Sequence, residues 1–255
     1  MLHAISINRE ARILIVFLHG NSMNGQIYLD LVSQDSLRDF HCLVLDLPGH
    51  GLSPRFGCYS LKAILDSIYN EVRNLNFDKI FIVGSSLGGH LAMQMLSILP
   101  FCNGVVTIGS PPLQALHDIC YAFNPEKSAV LFFEKNRARI ISELSCLIPN
   151  MSLQFIASTI SSFDMSFKNL FETLDQVDFW ENEQDVLNDG SIPVLCIIGD
   201  EDPFINIDYI LKATSFTSKN KISKILIKKG WGHYPFLTYP QEVASIIGDF
   251  ISRCH

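Results

Sequence analysis

Apolar residues fall in short continuous runs, separated by polar, glycine-rich turns. Arg12 to Leu18, His41 to Leu47, Ile80 to Val83, Gly104 to Ile108, Ile192 to Ile198 and Ile222 to Lys228 are mostly β-branched or aliphatic, and each is too short for a buried helix. Such runs predict strands covered on both faces. Leu2 to Ile7 adds a short first strand. Between the runs the apolar period lengthens to that of a helix, as in Leu61, Ile64, Leu65, Ile68, Val72 and Leu75. Helices are predicted over Gln26–Leu37, Leu61–Leu75, Leu87–Leu99, Ile207–Ala213 and Glu242–Ile251. Buried strands alternating with helices predict an α/β fold, a mostly parallel, doubly wound sheet with helices on both sides. Sheets of this kind present their reactive side chains at the carboxyl ends of the strands. The polar clusters fall there: His19-Gly20-Asn21, Asp46 to Gly51, Ser86, Gly199 to Asp202, and Gly232-His233.

The alternation stops between Leu113 and Asp189. No strong strand is visible, and helices are expected around Asp118–Ala122, Ala129–Ser142, Met151–Thr159 and Phe167–Asp175. Eight of the 18 phenylalanines lie here, so the segment has apolar surface of its own to bury. It is too long for a simple crossover. The expectation is a helical cap at 113–189 inserted into a core built from 1–112 and 190–255, returning at Gly190-Ser191.

Composition narrows the function. Hydrophobic residues make up 48% of the 255 and charged ones 18%, which suits one large domain and not a disordered chain. A net charge of −7 argues against a nucleic-acid partner. Lys219 to Lys229, the most basic stretch, interrupts a strand-like run and reads as a solvated sheet edge. The seven cysteines form no C-x-x-C pair and no metal-like spacing with histidine. Cys42 and Cys196 read as core residues, and an odd, scattered set implies a reducing compartment, hence a cytoplasmic protein. Ile13 to Leu18 is too short for a membrane span, and no small-residue cleavage site follows it.

The chemistry gathers at Gly84-Ser85-Ser86-Leu87-Gly88, where a buried strand meets a helix. This G-x-S-x-G in a strand–turn–helix context puts a serine on a sharp, strained turn above the sheet edge. One point then receives an exposed hydroxyl, the free N–H of Leu87 and the positive end of a helix dipole. A serine hydroxyl needs a base, and the base needs a group that fixes its tautomer. His233, in a glycine-flanked loop after the last strand, is the expected base. The acid should lie between serine and histidine in the chain, and the loop Gly199-Asp200-Glu201-Asp202 offers three. Asp202 is preferred, since Asp200 is close to the strand and Glu201 reads as solvated. An oxyanion needs two converging N–H donors, for which Leu87 and Asn21 are proposed. His19 reads as a structural residue holding the Gly20 turn.

Taken together, these motifs resemble an α/β-hydrolase-fold serine hydrolase with a helical cap, over nearly the whole chain. Asp46-Leu47-Pro48-Gly49-His50-Gly51-Leu52-Ser53 belongs to the same pattern. In that pattern the acid stands three residues after the strand-ending glycine, which is Asp202 here. Length, cap position and the Asp-Leu-Pro-Gly run are similar to small carboxylesterases of the pimeloyl-carrier methyl-ester esterase type. The resemblance implies hydrolysis of carboxylic esters through an acyl-enzyme, on a small-molecule ester or acyl substrate that can be carrier-bound, with no metal or organic cofactor. It sets no oligomeric state. Relatives with the same triad cleave C–C bonds, lactones or thioesters, or run an elimination in menaquinone biosynthesis. In that last branch a basic residue follows the elbow glycines, where this chain has His90. A ligand receptor on a hydrolase scaffold is the alternative from another class. An epoxide hydrolase or dehalogenase would need Asp at position 86.

Overall fold

The computed structural model describes residues 1–148, 150–172, 180–189, 191–213 and 222–254. Seven strands form one sheet in the order β1-β3-β2-β4-β5-β6-β7. They are β1 (Ala4–Ile7), β2 (Ile13–Leu18), β3 (His41–Leu45), β4 (Lys79–Ser85), β5 (Cys102–Ile108), β6 (Val194–Gly199) and β7 (Lys224–Lys228). Only β1 runs antiparallel to its neighbour; every other pairing is parallel. The strand period divides the core in two. Ile15, Phe17, Phe81 and Val83 face one side, where they meet Ile27, Leu31 and the last helix, Pro240–Arg253. Leu14, Val16, Leu18, Ile80 and Ile82 face the other, against the helix Leu61–Val72 and the helix after β4, Leu87–Gln94. Burial on both faces is why these strands read as continuous apolar runs. The lysine-bearing β7 lies at the sheet edge; residues 219–221 of the basic stretch lie outside the described residues.

Two predicted helices are broken, each by a polar side chain. Gln26–Leu37 is in fact a 3-10 turn at Gly25–Tyr28, a short helix at Leu29–Val32 and another 3-10 turn at Asp35–Leu37. The Ser33 hydroxyl and the Gln34 amide both donate to the Asp30 carbonyl, which a continuing helix would use. Ala129–Ser142 divides into Pro125–Phe132 and Arg137–Leu147, because Asn136 caps the second piece by accepting from the Arg139 N–H. The helix after β4 stops at Gln94 and passes into a 3-10 turn, Met95–Ser97.

Between β5 and β6 the described residues hold no named strand. Besides the two pieces just given, the segment contains Ile119–Ala122, Leu153–Ser162, Asn169–Glu172 and Glu183–Asp189. The predicted helix end at 173–175 and the return at Gly190 lie outside the described residues. The segment meets the loops at the carboxyl ends of the strands. Asp164 N–H donates to Gly49 O at 2.8 Å, the Tyr59 hydroxyl donates to Asp164, and the Asn21 amide donates to Leu131 O.

Candidate active site

Ser86 sits between β4 and the helix that starts at Leu87, with φ 51° and ψ −122°. A non-glycine residue rarely holds such a backbone, and it persists only where the surroundings enforce it. The surroundings are visible. A Cβ on Gly84 would collide with the Gly88 carbonyl, and one on Gly88 would collide with Leu18 O. Both glycines are therefore required for the turn to close against β2. Ser86 N–H donates to Ile108 O at 2.8 Å, and the Ser110 hydroxyl donates to Ser86 O at 2.8 Å. As the first helical residue, Leu87 has an N–H that no helical carbonyl takes.

His233 and Asp202 meet, although 31 positions separate them: Nδ1 donates to Oδ2 at 2.6 Å, and both side chains are buried. The other carboxylate oxygen accepts the N–H of Phe204 at 2.9 Å, while the Phe204 ring lies edge-on to the imidazole, 4.8 Å between centroids. Both oxygens of Asp202 are thus held. Asp200 instead accepts the Gly230 N–H, and Glu201 is exposed. The His233 ring is packed on Gly109, where an added Cβ would stand 3.0 Å from Nδ1. Gly109 follows Ile108, the residue bonded to Ser86, so the histidine loop and the serine turn share one support. His233 Nε2 is buried and has no partner among the described residues.

The turn bearing Asn21 is fixed by two neutral histidines. His19 Nδ1 donates to Gly20 O at 2.8 Å, and its Nε2 accepts Leu47 N–H at 2.9 Å. His50 repeats the pattern, donating to Pro48 O and accepting from Ser22 N–H. Burial pushes His19 down to about 4 and His50 well below its usual value. Each ring is therefore a fixed donor–acceptor bridge near neutrality. Asp46 completes the frame by accepting from Gly25 and Leu52 N–H.

The helical segment is attached to the acid loop by backbone bonds. Asn124 N–H donates to Phe204 O at 2.7 Å, and Asn206 N–H donates to Ala122 O at 2.9 Å. Within the segment lies an apolar cavity of about 380 Å³, walled by Phe123, Ala129, Phe132, Phe133 and Phe171. The Phe123 ring also approaches His90, one helical turn beyond Ser86, with centroids 6.0 Å apart.

A family model described as the alpha/beta hydrolase fold matches residues 13–240. The chain belongs to the α/β-hydrolase fold family. It is 38% identical over 102 residues to 2-succinyl-6-hydroxy-2,4-cyclohexadiene-1-carboxylate synthase of Citrobacter koseri, a match spanning 39% of this chain and only 40% of that protein's length. Over 252 residues it is 23% identical to pimeloyl-acyl-carrier-protein methyl ester esterase of Yersinia enterocolitica, covering 94% of this chain and 93% of that one. Among solved structures, an N-acyl homoserine lactonase complexed with N-hexanoyl homoserine superposes with a TM-score of 0.85 at 23% identity, covering 98% and 92% of the two chains. Family membership accounts for the topology.

Sequence reasoning missed the residues that support this site: Phe204, which holds the acid, Ser110, which holds the serine carbonyl, and Tyr234, considered below. It also gave no partner for His90, which is bonded to the buried carboxylate of Glu183. None of these positions carries a local motif. Each acquires its role from a contact distant in sequence.

Proposed function

We propose that this protein is a serine hydrolase that cleaves carboxylic esters through an acyl-enzyme, with Ser86, His233 and Asp202 as nucleophile, base and acid. The observation that carries the reading is the bonded Asp202–His233 pair, sharing the Ile108–Gly109 support with a serine in strained conformation. In the neutral ring, the bond from Nδ1 to Asp202 leaves the Nε2 lone pair to take the Ser86 proton. Ser86 Oγ attacks the carbonyl carbon, and the oxyanion accepts from the Leu87 and Asn21 N–H groups. As the C–O bond to the alcohol breaks, His233 returns the proton to the leaving oxygen. Water, deprotonated by His233, then attacks the acyl carbon; the acid departs and Ser86 regains its proton.

We read 113–189 as a cap over this site. Its phenylalanine-walled cavity favours an ester with an apolar acyl or aryl arm. The elimination reading has less support, because the residue after the elbow glycines is a histidine already bonded to Glu183. All seven cysteines are free, which supports assignment to a reducing, cytoplasmic compartment.

The test is turnover of p-nitrophenyl esters of increasing acyl length, with fluorophosphonate labelling in parallel. Ser86→Ala is expected to abolish labelling and lower kcat by about 10⁴-fold or more. Undiminished turnover by Ser86→Ala would remove Ser86 from the mechanism. A single turnover with trapped ligand would favour the receptor.

A further inference from the structure

Nine buried side-chain polar atoms lack a partner among the described residues, and four of them surround this site: Asn21 Oδ1, Ser22 Oγ, His233 Nε2 and the Tyr234 hydroxyl. An unpaired buried hydroxyl costs stability, of a size that a phenylalanine in the same space would avoid. His233 Nε2 has its use in the proposed reaction. Tyr234 has none so far, yet it follows His233 directly in the chain. Its ring packs edge-on to the His233 imidazole, 4.6 Å between centroids. Its hydroxyl is directed at the seam between the Gly20 turn and the serine elbow: a Cβ on Gly20 would stand 2.8 Å from that oxygen and 3.1 Å from Ser86 Cβ. Only a glycine at 20 lets the phenol reach this place.

A second buried tyrosine provides the contrast. The Tyr28 hydroxyl lies at 2.8 Å from both Leu18 O and Ser85 Oγ. It is fully paired and structural. The Tyr234 hydroxyl, which borders the same space beside Gly20 as Ser86 Cβ, is not paired among the described residues. Burial pushes the Tyr234 phenol far above its ordinary value, so it stays protonated, a donor, through the working range.

We infer that Tyr234 is a further catalytic residue, whose hydroxyl donates to the negative charge that develops beside Ser86 in the transition state. The inference rests on the reading of Ser86 as nucleophile. A donor that finds its acceptor only in the transition state raises kcat and leaves substrate affinity nearly unchanged. The geometry suits that role: the donor is held rigidly by its own ring contacts and by the wall of Gly20, and it is shielded from water.

The experiment is Tyr234→Phe, which removes one oxygen and keeps the packing. With the ester substrate, kcat is expected to fall by about 10- to 100-fold, KM to stay within about twofold, and Tm to hold or rise. Fluorophosphonate labelling should slow in parallel. Tyr28→Phe, which deletes a paired hydroxyl, is expected to lower Tm and so calibrates the stability readout. An unchanged kcat in Tyr234→Phe overturns the inference. So does a fall in kcat accompanied by a lower Tm, which would make the hydroxyl structural. Turnover by Ser86→Ala in the same assay signals failure of the underlying reading instead.

Discussion

The described residues contain two buried histidine–carboxylate pairs, and they differ in the work given to the acid. His233–Asp202 joins two loops at the carboxyl end of the sheet. His90–Glu183 joins the interior of the helix Leu87–Gln94 to the helix Glu183–Asp189, with Nδ1 3.0 Å from the carboxylate. In each pair Nδ1 is taken and Nε2 is buried without a partner among the described residues. The pair alone therefore does not define a catalytic base. What differs is the work given to the carboxylate. Asp202 accepts from its histidine and from one N–H in its own loop, so it orients a ring. Glu183 also accepts from the Gln94 amide and from Leu113 N–H, so it ties both ends of the helical segment to the core. The first pair fixes the orientation of an imidazole; the second fastens the helical segment to the core.

Breaking each pair should separate these roles. Asp202→Asn keeps the shape but offers the wrong partner to Nδ1, and kcat is expected to fall by about 10⁴-fold with little change in folding. Steady-state turnover together with circular dichroism reads both. The second pair should show the reverse. Glu183→Leu leaves three buried donors unpaired and is expected to cost about 3–5 kcal/mol of stability in denaturant titration. Its effect on phosphonate labelling should be small wherever the variant remains folded. A 10⁴-fold loss of labelling in folded Glu183→Leu would erase the distinction.

The paired turn histidines give a finer test. His19 is held down to about 4 by burial, against an ordinary 6.5. The folded state then binds fewer protons than the unfolded chain between those limits. Stability is full above about 6.5 and is lost as pH falls through that window toward 4, by about 3 kcal/mol at most from this group. Urea melts from pH 7 to pH 4, compared with the same series in His19→Asn, check the slope. His50, also held down by burial, keeps part of the slope, so the substitution is expected to shrink it, and an undiminished slope would assign the acid lability elsewhere.

Much of this was legible in the chain, for a physical reason. Strands buried on both faces leave continuous apolar runs, and a turn that must admit a close backbone leaves glycines at fixed spacing. Ser86 was thus visible from its own neighbours. Asp202 and His233 were visible because the sheet orders its loops, and the structure brings them together at hydrogen-bonding distance. The limits were also physical. Gln26–Leu37 has helical spacing, but side chains at 33 and 34 compete for the Asp30 carbonyl. Asn136 looks like any polar residue within a helix until its amide is seen capping the next one. Tyr234 and Phe204 carry no signal of their own, because nothing in the local sequence says what lies across from them. Glu183 is 93 positions from His90, and no spacing rule spans that interval.

The bonds between 122–124 and 204–206 have a mechanical consequence. The helical segment and the Asp202 loop are joined there by two backbone bonds, so lifting that edge would also disturb the Phe204 N–H that steadies Asp202. With 113–189 as the proposed cap, a substrate is expected to enter by movement of the far helices, Arg137–Leu147 and Leu153–Ser162, with the anchored edge at rest. On the proposed reading, the orientation of Asp202 and closure over a substrate are coupled, since the same bonds serve both.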